Sequence, residues 1–294
     1  MLAVAEWENN RISLFDLATK AFVRHIGAGI LGCVLSCVLL QTASEKLFFV
    51  SDNNHKITVF NFDSGAKVRE FGSHGSANGQ FNWPQTMTIF HSPTGPQLLV
   101  SDSWNHRIQV HDALTGNYIR TIGNGQGNAL GQLNNPRGLA LLSVPNSDIT
   151  WLIVCDLSNN RLQVFDVQSG NAIKTIGNNI SPRGVAVLTP PNSPPLIFAA
   201  DLSSHRVRVF DALSGDVVRD IGNGNGANPG QLNVPKGLSI FHNTAAGRYE
   251  LFVTEYSNHR VSIFDALTGQ YLGVIGKQGR GNGELNRPWG NCLI

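Results

Sequence analysis

The stretch "SDSWNHRIQVHDALTGNYIRTIG", residues 101–123, alternates as a strand does and breaks at Asn105-His106-Arg107. It alternates again, breaks at Leu114-Thr115-Gly116, and alternates a third time. Nearly the same string returns at 254–276 as "TEYSNHRVSIFDALTGQYLGVIG". A catalytic motif usually occurs once, whereas a recurring one is more often architecture. Four further copies begin at Ala5, Ser51, Cys155 and Ala200, each led by an acid. The six acids are Glu6, Asp52, Asp102, Asp156, Asp201 and Glu255, spaced by 45 to 54 residues. A repeat of that length points to a propeller, solenoid or array. Strand alternation without helical periodicity selects the propeller.

Composition agrees. Of 294 residues, 41% are hydrophobic and only 14% charged, with 31 Gly and 13 Pro. That balance suits an all-β chain with many tight turns. Six units tile residues 1–294 without a linker, so one domain is expected. A net charge of +2 does not by itself imply a nucleic-acid or membrane partner. Cys33 and Cys37 would lie roughly 13 Å apart along a strand, too far to bridge. Cys155 and Cys292 fall in other apolar strands, so four buried free thiols and a reducing, cytoplasmic setting are expected. "AGILGCVLSCVLLQ" (28–41) has the apolarity of a signal-peptide core, but a full repeat precedes it. It reads as a buried strand. The sequon Asn179-Ile180-Ser181 precedes Pro182 and carries little weight.

Each unit supplies four strands. In the third they are 137–142, 151–156, 160–166 and 171–177. The first two are apolar on both faces, as strands sandwiched between neighbouring blades must be. The "DALTG", "DVQSG" and "DALSG" segments are hairpin turns in which Asp accepts backbone N–H groups and Gly supplies positive φ. The chain opens on the second strand of a unit, "LAVAEW", and closes on a first strand, "RPWGNCLI" (287–294). Joining 287–294 to residues 1–27 completes a sixth blade. The expected fold is therefore all-β: a six-bladed β-propeller of four-stranded antiparallel blades, closed by pairing of the C-terminal strand with the N-terminal strands.

"QFNWPQTMTI" before "SDSWNHRIQVHDALTG", and "QLNVPKGLSI" before "NHRVSIFDALTG", resemble NHL repeats, with Asn105-His106 and Asn258-His259 as the namesake pair. The likeness covers essentially the whole chain. It implies one of three roles: a protein- or RNA-binding recognition module of a ubiquitin-ligase-like chain, a sensor or scaffold propeller, or a peptide-amidating lyase. Lyases of that kind hold a metal through His residues on inner strands. Here the inner segments "GCVLSCVLLQ", "PQTMTIF", "PRGLALL", "PRGVAVL", "PKGLSIF" and "PWGNCLI" contain no His, Asp or Glu. An axial zinc or calcium site needs such ligands, so no metal, no cofactor and no enzyme are expected.

The histidines and glycine strings point the same way. His55, His106, His205 and His259 share one repeat position with Asn10 and Asn160, which favours turn bonding over ligation. No "GxSxG"-like elbow supports a Ser-His-Asp triad. The strings "GNGQGNALGQ" (123–132) and "GNGNGANPGQ" (222–231) lead into strands, not helices, and so are not phosphate loops. Leu133, Leu232, Leu285 and Phe81 within or after such loops read as plugs between blades.

Strand parity sorts the loops onto two faces. The top face collects the Asn-His-Arg turns and the glycine-rich connections. There Arg137, Arg183, Lys236 and Arg287 flank the prolines that open inner strands, as a broken ring about the channel mouth. Gln85 and Trp289 fill two of the post-proline slots. Lys277 and Arg280 sit in a top loop, and Trp83, Trp104 and Trp289 add apolar or stacking surface. The repeat bases Arg11, Lys56, Arg107, Arg161, Arg206 and Arg260 are expected to pair with the leading acids of their own units. The bottom face collects Asp16, Asp112, Asp166, Asp211 and Asp265. The reading is a non-catalytic, monomeric interaction module that takes a protein partner on the top face, with RNA as the alternative and no membrane.

Overall fold

A computed structural model describes residues 1–294. Its strands run β1 (Leu2–Glu6), β2 (Arg11–Phe15), β3 (Phe22–Ile26), β4 (Val34–Gln41), β5 (Lys46–Asp52), β6 (Ile57–Asn61) and β7 (Lys67–Phe71). They continue as β8 (Pro84–Ser92), β9 (Gly95–Asp102), β10 (Arg107–Asp112), β11 (Tyr118–Ile122), β12 (Pro136–Ser143), β13 (Thr150–Asp156), β14 (Arg161–Asp166) and β15 (Ala172–Asn178). The rest are β16 (Pro182–Leu188), β17 (Leu196–Asp201), β18 (Arg206–Asp211), β19 (Val217–Ile221), β20 (Pro235–Asn243), β21 (Arg248–Glu255), β22 (Arg260–Asp265), β23 (Tyr271–Ile275) and β24 (Pro288–Leu293). They pair into six four-stranded antiparallel sheets, the blades of a six-bladed propeller. Blade 1 is β4–β7, blade 2 β8–β11, blade 3 β12–β15, blade 4 β16–β19 and blade 5 β20–β23. Blade 6 is β24-β1-β2-β3.

Blade 6 closes the ring. Leu2 pairs with Leu293, Ala3 with Cys292 and Val4 with Asn291, and the Met1 nitrogen donates to the Ile294 carbonyl at 2.6 Å. Between blades, apolar side chains form a contiguous series of clusters, such as Phe198, Val207, Val209, Leu232, Leu251 and Phe264 between blades 4 and 5. The plugs Phe81, Leu133, Leu232 and Leu285 are fully buried, and each forms a bridge back to its own glycine-rich loop.

Three details depart from the sequence reading. Residues 28–33 form a connection with Ile30 exposed, and the strand begins only at Val34. Cys33 is half-buried and precedes the strand, while Cys37 of blade 1 meets Cys292 of blade 6 with sulfurs 3.1 Å apart. Alternation along separate strands could not show that ring closure brings these thiols together; burial and the neighbouring Cys292 push the Cys37 thiol well up. Inner strands β8 and β20 also run further than expected, adding His91 and His242, but both lie exposed at the bottom ends.

Inner strands approach one another closely at a glycine that follows the post-proline residue. A Cβ on Gly184 would overlap the Lys236 carbonyl, and one on Gly290 would sit 2.6 Å from the Leu35 carbonyl. A register shift in every inner strand, between its first residue and the resumption of regular pairing, includes this region. The side chains between proline and glycine, Arg137, Arg183, Lys236 and Trp289, are thereby set at the channel mouth.

Candidate functional site: the channel mouth and its aromatic arc

Around the top face, each repeat turn is organised by a buried carboxylate. Asp102 accepts from Arg107 Nε at 2.8 Å, Asn105 Nδ2 at 2.9 Å, Gln109 Nε2 at 3.0 Å and the Asn82 backbone N–H at 2.7 Å. That last bond reaches back to the connection from the preceding blade. Asp156 does the same with Arg161, Asn159, Gln163 and the Asn134 N–H. Glu255 and Glu6 hold Arg260 and Arg11 at 2.6 and 2.8 Å. These four pairs are as expected. The other two are corrections: Lys56 pairs with Glu70 at 2.9 Å, and Arg206 with Asp220 at 2.7 Å, both acids on outer strands. Asp52 and Asp201 are instead filled by Asn54 and the Gly32 N–H, and by Ser203, Ser204 and the Ser181 N–H.

The shared His/Asn position has a geometric cause. Asn10, His55, His106, Asn160, His205 and His259 all have φ between 52° and 59°, the left-handed region that Asn and His tolerate best after Gly. Where the residue is His, its Nδ1 accepts the N–H of the residue before the next blade's proline: Trp83, Asn135, Val234 and Arg287, at 3.0 to 3.2 Å. Those four donor residues also have positive φ. Where it is Asn, the following connection is short (27–33 and 177–181) and makes no such bond. Burial lowers the pKa of His55, His106 and His259, which keeps the ring neutral and able to accept. These histidines are inter-blade links.

At the centre lies a different arrangement. Arg137, Arg183, Lys236, Gln85 and Trp289 line a cavity of ≈ 30 Å³. Below it runs an axial channel of ≈ 290 Å³, walled by small and apolar residues with no imidazole or carboxylate. Trp289 is the hub of the mouth. Its indole N–H donates to Gln85 Oε1 at 3.2 Å, and its ring stacks on Trp7 at 4.6 Å. Lys236 Nζ lies 3.0 Å from the Trp289 ring centroid and 3.4 Å from that of Tyr256; the Arg183 guanidinium is 4.5 Å from Trp289. Burial and the charges of Arg183, Arg137 and Arg287 push the Lys236 ammonium down to about 4. The two ring faces oppose that shift by stabilising the charged form. Burial pushes Arg183 to about 10, and burial with Arg183 pushes Arg137 to about 9, so both guanidiniums stay charged at neutral pH.

Outward from Trp289 an aromatic arc crosses the top face: Tyr256, Trp289, Trp7, Trp83 and Trp104, with successive centroids 4.6 to 6.0 Å apart. Trp7 and Trp83 belong to blades 6 and 2, which are not neighbours. The turn of blade 1 between them, Asp52 to His55, is one residue shorter than its counterparts. Trp104 ends the arc, 57% exposed.

The expected ring of four bases is therefore corrected. Arg137 and Lys236 are buried, at 8% and 5% exposure, rather than an open rim. Arg287 lies outside the cavity, pairs with Glu8 at 2.7 Å and packs on Tyr256. Lys277 and Arg280 are exposed and are not brought to the mouth; Lys277 faces Glu284 at 3.5 Å. Trp83 and Trp289 are half-buried, so of the three tryptophans only Trp104 is exposed. Trp7 and Tyr256 escaped the sequence reading. Both directly follow a leading acid, Glu6 and Glu255, so their shared repeat position could have found them. On the bottom face Asp16, Asp112, Asp166, Asp211 and Asp265 each take two backbone N–H groups of their own turn.

No protein-family model matches the chain, and neither does any curated protein. Among solved structures it resembles a chain of the nidogen/laminin complex, with a TM-score of 0.69 at 15% identity, over 99% of this chain and 96% of that one. It also resembles Kuenenia stuttgartiensis hydrazine synthase, with a TM-score of 0.56 at 16% identity, over 88% of this chain and 71% of that one. At such identities the likeness is one of fold: this chain is a six-bladed β-propeller.

Proposed function

We propose that this propeller is a non-catalytic protein-interaction module that takes its partner on the top face. The observation that carries the reading is the aromatic arc. Four indoles and a phenol run in contact from the buried mouth to exposed Trp104, and Trp, Tyr and Arg are the residues that dominate binding energy at protein interfaces. A buried centre grading into an exposed rim is also the anatomy of such interfaces. One solved neighbour in fold comes from a complex of two proteins, which is in keeping with this role. The repeats are read as NHL-type, and the chain as the recognition element of a ubiquitin-ligase-like or scaffold assembly in the cytoplasm. RNA is the second reading, because stacked indoles also make platforms for bases.

The test compares capture by the intact propeller, by Trp104→Glu with Arg287→Glu on the top face, and by Leu213→Glu on a bottom turn. The protein set bound by wild type should be lost with the top variant and kept with the bottom one. Loss with the bottom variant alone would overturn the reading. For RNA, affinity would fall steeply with salt, by a log–log slope of about 0.7 per phosphate contact.

A further inference from the structure

We propose that the cavity formed by Arg137, Arg183 and Lys236 is a receptor for a single carboxylate, presented by an acidic residue of the partner. The inference rests on the top-face reading only for where the carboxylate comes from.

Buried cations in proteins are normally paired or bound to an anion, because an uncompensated charge away from water is costly. The repeat turns of this molecule obey that rule, whereas its centre does not. Neither Arg137, Arg183 nor Lys236 enters an ion pair; the charged or titratable groups facing Lys236 are Arg137, Arg183, Arg287 and Tyr256, none of them a carboxylate. Nε and Nη1 of Arg137, Nε of Arg183 and Nε2 of Gln85 are buried without a hydrogen-bond partner. Buried polar atoms are nearly always satisfied, and unsatisfied donors at one place call for a missing acceptor. All of these residues line the same cavity.

Size and chemistry narrow the acceptor. A volume of ≈ 30 Å³ holds one or two water-sized groups, enough for the two oxygens of a carboxylate and too little for a base or a sugar. Guanidinium donors match carboxylate geometry, and charge-assisted bonds are the stronger kind. The Trp289 ring walls the cavity and, with the Tyr256 ring against Lys236, keeps the cations away from water, which strengthens the attraction. Lys236, whose ammonium burial and then its cationic neighbours push down to about 4, would regain its proton when an anion arrives. Binding then takes up close to one proton, and affinity rises by up to tenfold for each pH unit lowered through the neutral range.

The experiment uses the whole chain and five probes: sodium acetate, inorganic phosphate, N-acetyl-Asp-amide, and acetyl-Gly-Gly with a free and with an amidated C-terminus. Melting temperature and calorimetric affinity are measured at matched ionic strength in sodium chloride. Carboxylate probes should stabilise wild type and the amidated peptide should not. N-acetyl-Asp-amide binding better than acetyl-Gly-Gly-carboxylate supports a side chain as the source; the reverse order would overturn the side-chain assignment in favour of a partner's C-terminus. Arg183→Met and Lys236→Met should each weaken binding at least tenfold. In wild type, calorimetry in two buffers of different ionisation heat should show proton uptake, a readout independent of any variant's folding. Carboxylates acting no better than chloride, or as strongly on both variants as on wild type, would overturn the proposal. So would inorganic phosphate binding more tightly than acetate, which would favour a phosphate ligand. Failure here leaves the aromatic arc and its Trp104→Glu test untouched, so the two readings fail separately.

Discussion

Two sets of cations share the top face and obey opposite rules. In the repeat turns, Arg11, Arg107, Arg161 and Arg260 each meet a carboxylate that is fully buried, with every acceptor oxygen used. At the channel mouth, Arg137 and Lys236 are buried and Arg183 is half-buried with its Nε enclosed, and all three meet none. The first set is architecture: remove it and the blades lose the bonds that tie turn to connection. The second set forms no ion pair that ties one blade to the next. Proteins carry such liabilities where a site must be held ready, and stability is then traded for function.

The largest effect should come from a change that strikes both regions. Deleting residues 287–294 removes β24, exposes the edge of β1 and takes away Trp289. The truncated chain should be unfolded or aggregated in size-exclusion and circular dichroism measurements. A monomeric product with unaltered melting would mean that closure is dispensable.

Next comes the paired set alone. Asp102→Ala takes the carboxylate from Arg107, Asn105 and Gln109, leaving them only backbone carbonyls, and frees the Asn82 N–H. Breaking a buried pair in this way should cost about 3–5 kcal/mol in urea unfolding. Asp201→Ala offers a sharper contrast, because Arg206 pairs with Asp220 instead and keeps its partner. Its cost should be visibly smaller; equal costs would show that the ion pair adds little to the turn.

The smallest effect belongs to the inter-blade histidines. His106→Asn retains a residue tolerant of positive φ but loses the bond from the Asn135 N–H, a change of about 1 kcal/mol. Its pH dependence has a definite sign. Burial lowers the folded pKa of His106 below its ordinary value of 6.5, so its contribution is present above that value and is lost as pH falls through the folded pKa. Wild type should therefore lose stability below about pH 6.5, and His106→Asn should flatten part of that slope.

Much of this could be read from residues. The repeat acids, the Asn-His turns and the unpaired first strand led directly to six blades and their closure. The exceptions among the turn pairs were legible too. The four that pair internally read Asn-x-Arg-x-Ser or Asn-x-Arg-x-Gln: 9–13, 105–109, 159–163 and 258–262. In them Asn and Ser or Gln join the same carboxylate. The two exceptions read "NHKIT" (54–58) and "SHRVR" (204–208); Arg208 adds a second base, which shares Asp220 with Arg206. What could not be read was depth. Repeat position places Arg137, Arg183 and Lys236 at a common place on the ring, but their burial depends on one large side chain, Trp289, reaching across the mouth to Gln85. Such a contact between distant repeats leaves no trace in the periodicity of either. The Cys37–Cys292 contact was hidden for the same reason.

The central claim is that paired cations hold the fold while the unpaired ones at the mouth serve binding. Parallel unfolding of Arg107→Met and Lys236→Met at neutral pH tests it most directly. Arg107→Met should lose about 3–5 kcal/mol, because it strands a buried carboxylate. Lys236→Met should be neutral or more stable than wild type by about 1–4 kcal/mol, because it removes a buried, uncompensated amine. Its advantage should grow as pH falls from 10 toward 5: the unfolded lysine gains a proton over that range while the folded one, pushed down to about 4, resists it. A Lys236→Met protein as destabilised as Arg107→Met, with no such pH trend, would show that the mouth cations belong to the architecture after all.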